Sequence, residues 1–254
     1  MGSEMCIRDR VGDWDDDNLY FRFCNRLYAL GVKFVDEELN PQWNCDEGVI
    51  VVEQMKKLWC DGLVVPESIN IDSSGTAARI FCSGSAAMNI NWEFQANWLN
   101  DPEYSVVIGK AKCSTVPGQK LKSGGITACV PMCIAKRAEN PDAAWEYVKY
   151  CVSNEVQKIS FLEGGHLPTN LKTYEDPEAR EKAWWLPVAE EQAKLEGTWP
   201  LPVMWAAEQL YDIFSTVIKK AITDPNSDVK KALNTAEEMY LKEVEKAKER
   251  AGVK

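Results

Sequence analysis

Apolar residues recur at helical spacing through most of this chain. Leu19, Phe23, Leu27 and Leu30 form one stripe within residues 14–30, and Gly31 follows as a stop, which predicts an amphipathic helix. A second stripe runs through Val51, Val52, Met55, Leu58 and Trp59. It is bounded by an Asn44–Glu47 capping-box pair and by Gly62. Residues 75–83 predict a short helix with Ala77, Ile80 and Phe81 inward, 86–91 a strand, and 93–99 another short helix. The run YSVVI, 104–108, reads as a buried strand, and a Gly/Pro/Lys-rich loop leads from it to Ser123, Gly124 and Gly125. Residues 126–135 then read as a strand.

Asn140-Pro141 opens a helix by the cap-then-proline rule, with Ala144, Val148 and Cys151 or Val152 inward. Ser153 caps the next helix, which stops at Gly164-Gly165. Residues 203–222 predict a helix with Ala206, Leu210, Ile213, Phe214, Val217, Ile218 and Ala221 on one side. A last helix over 227–250 turns Val229, Ala232, Leu233, Ala236, Tyr240 and Val244 to the core and its Lys/Glu-rich remainder to water. Helices dominate. The strands are too few for a complete α/β domain, which fits a chain cut at its N-terminus. The sequence has no internal repeat and no low-complexity tract.

Composition adds one pointer. The chain has 254 residues, 45% hydrophobic and 27% charged, as in ordinary globular proteins. Its net charge of −10 makes nucleic acid and anionic membrane surfaces poor partners. No apolar run spans a bilayer. Ten tryptophans are many for this length, and Trp suits stacking surfaces. Residues 1–10, MGSEMCIRDR, lack the apolar centre of a signal peptide. MCIRDR resembles translated sequencing adapters, so the expectation is a non-native leader with the true protein starting further upstream.

Catalytic motifs are absent from the sequence. The one histidine, His166, sits in GGHLP and reads as a loop side chain. No G-x-S-x-G, HExxH, P-loop or G-x-G-x-x-G is present, and one His excludes most zinc catalytic sites. No cofactor or metal is expected. The cysteines form no CxxC pair. Cys129 and Cys133, four apart on an expected strand, would stand ~13 Å apart, too far for a disulfide. Two carboxylates at a suitable separation would make a glycosidase, and an acidic chain leaves that reading open.

The stretch CSGSAAMNINWEF, 82–94, carries the binding reading. A strand ending on Asn91, Trp92 and Glu93 places a flat aromatic beside two hydrogen-bonding groups where α/β folds place ligands. An aromatic face suits the C–H face of a pyranose. Gly124 and Gly125 would allow a ligand to approach the backbone closely. A core Trp and a plain glycine turn explain the same residues.

Five ordered stretches carry a resemblance: LYALGVKFVDEE, EQMKKLWCDGLVVPES, ARIFCSGSAAMNINWEF, NPDAAWEYVKYCVSNEVQ and GGHLPTN. With the closing helix, they resemble the extracellular solute-binding proteins of ABC importers, family 1, the carbohydrate binders that include maltose-binding protein. The resemblance covers nearly everything from residue 12. It implies an α/β, helix-rich, periplasmic-binding-protein-like type II two-lobe fold, with most of the N-terminal lobe upstream of this chain. Residues 11–125 and 171–254 would belong to the C-terminal lobe, and 126–170 would return to the N-terminal one.

The resemblance implies an extracytoplasmic monomer without enzymatic activity. It would bind a sugar or oligosaccharide and deliver it to a membrane permease; a peptide, polyamine or glycerol phosphate is the alternative solute. Trp92 matches the family's stacking aromatic, although the frequent Gly-Pro before it is missing. Gly124 and Gly125 match a loop that meets the sugar. Tyr20, and Tyr211 or Trp205, fall near aromatic contacts, Trp14 and Asp16 near the cleft rim, and His166 near the hinge.

Overall fold

The computed structural model describes residues 16–70, 73–202 and 204–252, with side chains from Leu19 onward. Helices make the main core. α1 is Asp16–Ala29 and α2 Asp46–Cys60, while the short α3, Ser74–Cys82, lies outside that core. α4, Pro141–Cys151, and α5, Asn154–Gly164, follow the β1 strand, Ile126–Thr127. Three short helices come next: α6 Leu171–Glu175, α7 Pro177–Lys182 and α8 Leu186–Gln192. The β2 strand, Trp199–Pro200, precedes α9 Ala207–Ile213, α10 Lys219–Thr223 and α11 Val229–Ala251. Phe214–Ile218 joins α9 to α10 as a π turn. No helix among the described residues is long and apolar enough to cross a membrane.

The predicted stripes meet in one cluster. Phe23 and Leu27 of α1, Val52 and Met55 of α2, Phe214 and Ile218 of the π turn, and Leu233 and Tyr240 of α11 are all fully buried there. Each such side chain contributes about 1.5–3 kcal/mol by leaving water. A smaller cluster joins Phe161 of α5 to Ala96, Ala179, Trp185 and Leu186. The stops act as expected. Gly31 takes a φ of +85° and Gly165 one of +72°, the left-handed region that glycine enters without a Cβ penalty. Ser153 caps α5 by accepting from the Val156 N–H.

Helix starts and faces differ from the pattern in four places. The Asn44–Glu47 capping box does not form, because the Asn44 side chain is spent on α11. It donates to Glu237 Oε2 at 2.7 Å and accepts from Lys230 Nζ at 2.8 Å. Cys45 occupies the N-cap with no side-chain bond. On α3 the buried residues are Ala77, Ala78 and Cys82, while Ile80 and Phe81 are half-buried against Val65 and Ala86. The expected helix over 203–222 starts late: Ala206 packs against the core but stands ahead of α9 as its N-cap, at a φ of +51°. On α4, Ala144, Val148 and Cys151 are the least exposed residues, yet none is buried.

The three expected strands are the larger correction. Among the described residues the sole sheet is a two-residue parallel pair, Ile126 opposite Trp199 and Thr127 opposite Pro200. Residues 86–91 hold only isolated bridge positions at Ala86 and Asn89. In 104–108 Ser105 is buried while Val106 is 70% exposed. Residues 128–135 continue from β1 without a ladder, and Val130 is 93% exposed. Apolar runs with high β propensity signal a surface that needs cover; a strand also needs a neighbour to bond. All eight described cysteines are free, and Cys129 and Cys133 are exposed.

Candidate functional site

Trp92 sits where the chain turns into a 3₁₀ helix, Glu93–Asn100, and it takes the N-cap position. Its ring is half-buried. Asn91 fixes it from behind: the Trp92 N–H donates to Asn91 Oδ1 at 2.9 Å, and Asn91 Nδ2 donates to the Ser74 carbonyl at 2.9 Å. Gln95, also buried, donates to Ser74 Oγ at 3.1 Å. The stretch 91–95 is therefore stapled to the N-terminus of α3. Asn91 spends its amide on this staple and positions the ring instead of presenting itself.

Phe21 of α1 meets Trp92 edge-to-face, with centroids 5.6 Å apart. Tyr211 of α9 stands 6.0 Å from Phe21 on another side. Tyr20 lies beneath, 5.5 Å from Phe21 and 5.1 Å from Tyr211. The structure thus joins three singled-out aromatics, Trp92, Tyr211 and Tyr20, through a fourth that sequence reasoning missed. Trp92, Phe21 and Tyr211 are half-buried, so they form an aromatic floor that still reaches solvent. Such rings contribute area and an edge-to-face geometry of their own. Phe21 is one of several apolar residues of α1 outside the Leu19–Phe23–Leu27–Leu30 stripe.

Tyr20 itself is fully buried. Burial, with the Cys24 thiol beside it, holds its phenol well above the usual range. It supports the floor from below and is sealed from any direct ligand contact by the chain itself.

The two glycines are also buried. Gly124 lies against α1, where Asn25 Nδ2 donates to its carbonyl at 2.7 Å. A Cβ there would run into the Asn25 carbonyl and the Ala29 methyl. At Gly125 a Cβ would meet the Gln192 amide and Thr198 Oγ1. The close approach these glycines permit is to α1, to the end of α8 and to the chain just after it.

Trp205 is half-buried against the main core, and its carbonyl accepts from the Tyr240 hydroxyl at 2.9 Å. Glu93 begins the 3₁₀ helix and faces Tyr174, whose phenol is pushed up by burial first and then by Glu93 and Glu190. His166 is exposed, 3.4 Å from Ser160 Oγ, with its ring 5.4 Å from that of Phe94. Its loop therefore packs on the helix that follows Trp92. Trp14 and the side chain of Asp16 lie outside the described residues.

A cavity of about 240 Å³ adjoins the same stretch, between α1, residues 88–90 and the loop at 116–119. Arg22, Asn25, Arg26, Gln54, Asn89 and Gln119 line it together with Leu58, Val64, Met88 and Ile90, and Asn89 Oδ1 is buried there without a hydrogen bond. No group of His, Cys, Asp and Glu side chains among the described residues is arranged to hold a metal ion.

Solved structures share this fold. An ABC transporter solute-binding protein from Agrobacterium radiobacter K84, in complex with ribitol, superposes with a TM-score of 0.75 at 21% identity, over 93% of this chain and 59% of that one. Maltose-bound MalE3 of T. maritima gives 0.75 at 20%, over 92% and 60%. A tagatose-bound solute-binding protein from Thermotoga lettingae gives 0.76 at 16%, over 95% and 61%. The chain spans about three fifths of the length of these proteins, and over that span its fold is their type II periplasmic-binding-protein fold. The sequence model of one family, described as bacterial extracellular solute-binding protein, matches residues 17–187. That match takes in α1, the Trp92 stretch and α4 through α7, and this chain belongs to the bacterial extracellular solute-binding proteins.

Proposed function

We propose that this chain is part of the substrate-binding component of an ABC importer and that its solute is a sugar or polyol. The observation that carries this reading is the aromatic floor of Trp92, Phe21 and Tyr211, half-buried and held before any ligand arrives. A pyranose or polyol offers a C–H face to such rings and hydroxyls to the groups around them. Neighbours of the same fold are bound to ribitol, maltose and tagatose, which supports this ligand class.

In this reading Trp92 stacks, Phe21 and Tyr211 extend the floor, Tyr20 backs it, and Asn91 sets the ring. Glu93, His166 and Trp205 line its edges, Trp14 and Asp16 mark the rim, Gly124 lets α1 pack closely and Gly125 does the same for Gln192 and Thr198. Residues 11–125 and 171–254 form one lobe, and 126–170 belong to the other. The lobes close on the solute, and the closed form docks on the permease outside the cytoplasm. The protein does no chemistry on the solute.

Calorimetry with ribitol, maltose and tagatose, on the protein as its gene encodes it, tests the reading. Trp92→Ala lowers affinity about a hundredfold, roughly 2.7 kcal/mol. Unchanged affinity removes Trp92 from the site. Release of reducing sugar from glycosides by the purified protein replaces the transport reading with a hydrolytic one.

A further inference from the structure

The cavity between α1, residues 88–90 and the loop at 116–119 is separate from the aromatic floor: none of Trp92, Phe21 and Tyr211 lines it. Its charge runs against that of the protein. The chain carries 39 acidic and 29 basic side chains, yet among the described residues the lining holds Arg22 and Arg26 and no carboxylate. The two arginines stand one turn apart on α1, where like charges repel. Arg22 is 5% exposed, with its Nη1 3.5 Å from Asn25 Oδ1, and Arg26 Nη1 donates to the Arg22 carbonyl at 3.1 Å. Both guanidiniums are thus held along the same helix. On the 88–90 side, Asn89 Oδ1 is buried with no hydrogen bond, and a buried acceptor in that state wants a donor. Leu58, Val64 and Ile90 add apolar surface. The volume of about 240 Å³ falls below the ~300–1,000 Å³ of pockets for drug-sized ligands, so the cavity suits a small occupant.

We propose that this cavity is a second binding site, distinct from the aromatic floor, for a short hydroxycarboxylate. The carboxylate meets the guanidiniums of Arg22 and Arg26, whose planar forks match its two oxygens. The neighbouring hydroxyl donates to Asn89 Oδ1. The carbon skeleton rests on Leu58, Val64 and Ile90. A neutral polyol answers Asn89 alone, and a simple carboxylate answers the arginines alone. Only a molecule with both groups answers the whole lining.

Calorimetry with lactate, on the protein as its gene encodes it, tests the site. Lactate is a small probe that carries carboxylate, hydroxyl and an apolar end. Two compounds of the same skeleton each lack one group: propionate has no hydroxyl, and propylene glycol has no charge. Lactate binds, propionate binds about threefold more weakly, and propylene glycol about tenfold more weakly or less. Arg26→Gln keeps donors and removes a charge, and it lowers lactate affinity about tenfold. Asn89→Leu removes the acceptor and erases the preference for lactate over propionate. Neither variant changes the affinity for ribitol, maltose or tagatose. Absence of lactate binding, equal affinity for propylene glycol, or lactate binding that both variants leave intact overturns the proposal. Displacement of lactate by one of the sugars also overturns it, since the cavity is then an extension of the floor. Where a variant does not fold, the three-compound series on the unmodified protein decides alone. Lactate binding without sugar binding sinks only the transport reading, and sugar binding without lactate binding sinks only this site.

Discussion

α1 and α4 are both amphipathic helices rich in aromatics, and they meet water in opposite ways. α1 buries Leu19, Tyr20, Phe23 and Leu27 completely, whereas α4 buries nothing and exposes Trp145, Tyr147 and Tyr150. The difference lies in what surrounds them. α1 is enclosed by α2, the π turn and α9, while α4 touches little beyond α5. A hydrophobic stripe therefore states which face needs cover, and the rest of the fold decides whether it is covered.

The largest break in this comparison comes from the enclosed side. Phe214 is fully buried and sits in ring contact with Tyr20, Phe23, Phe34 and Trp43. Phe214→Ala costs about 3–5 kcal/mol in urea unfolding of the chain. Gly124→Ala comes next, because its methyl has no room beside Asn25 and Ala29. Overpacking of this kind costs about 1–3 kcal/mol, read by the same denaturation.

On the exposed side the expected effect nearly vanishes. Tyr147→Ser in the 254-residue chain shifts stability by less than about 0.5 kcal/mol, as for a surface substitution. A loss comparable to that of Gly124→Ala would mean that α4 is already packed.

The smallest effect is electrostatic. Asp176 caps α7 and pairs with Lys158 at 2.8 Å. The Lys158 ammonium, then the Ala179 N–H, holds its carboxyl below the usual range. A lowered folded value gives stabilisation that is present above the ordinary carboxyl pKa and is lost as pH falls through the lower one. Acid titration therefore weakens the α5–α7 corner slightly, and Asp176→Asn flattens that dependence in urea midpoints taken across the acid range.

The longer helices were legible in the sequence because each carries its own evidence, whereas the short α6, α7 and α8 over 171–192 carry too few turns to show a stripe and were not read. Leu233, Ala236, Tyr240 and Val244 mark the inward face of α11 within a single stretch, and Gly31 and Gly165 mark stops. The strands were not, since Val130 and Val106 promise burial without naming a partner. The Asn44 cap failed for a related reason: its side chain answers to Lys230 and Glu237, nearly two hundred residues away. The aromatic site was half legible. Trp92 and Tyr211 stood out by type and position, while Phe21 is informative only once α1 and the Trp92 turn are seen to meet.

That contact between Asn44 and α11 has a consequence for synthesis. The first helix of the core and the helix that closes it lie at opposite ends of the chain. The core that Leu19 and Phe23 share is unfinished until Leu233 and Tyr240 have left the ribosome. Nascent chains emerge at about 5–20 residues per second, so for some tens of seconds the growing polypeptide carries the apolar stripes of α1 and α2 without a closed core. Factors that hold unfolded chains have that interval in which to act.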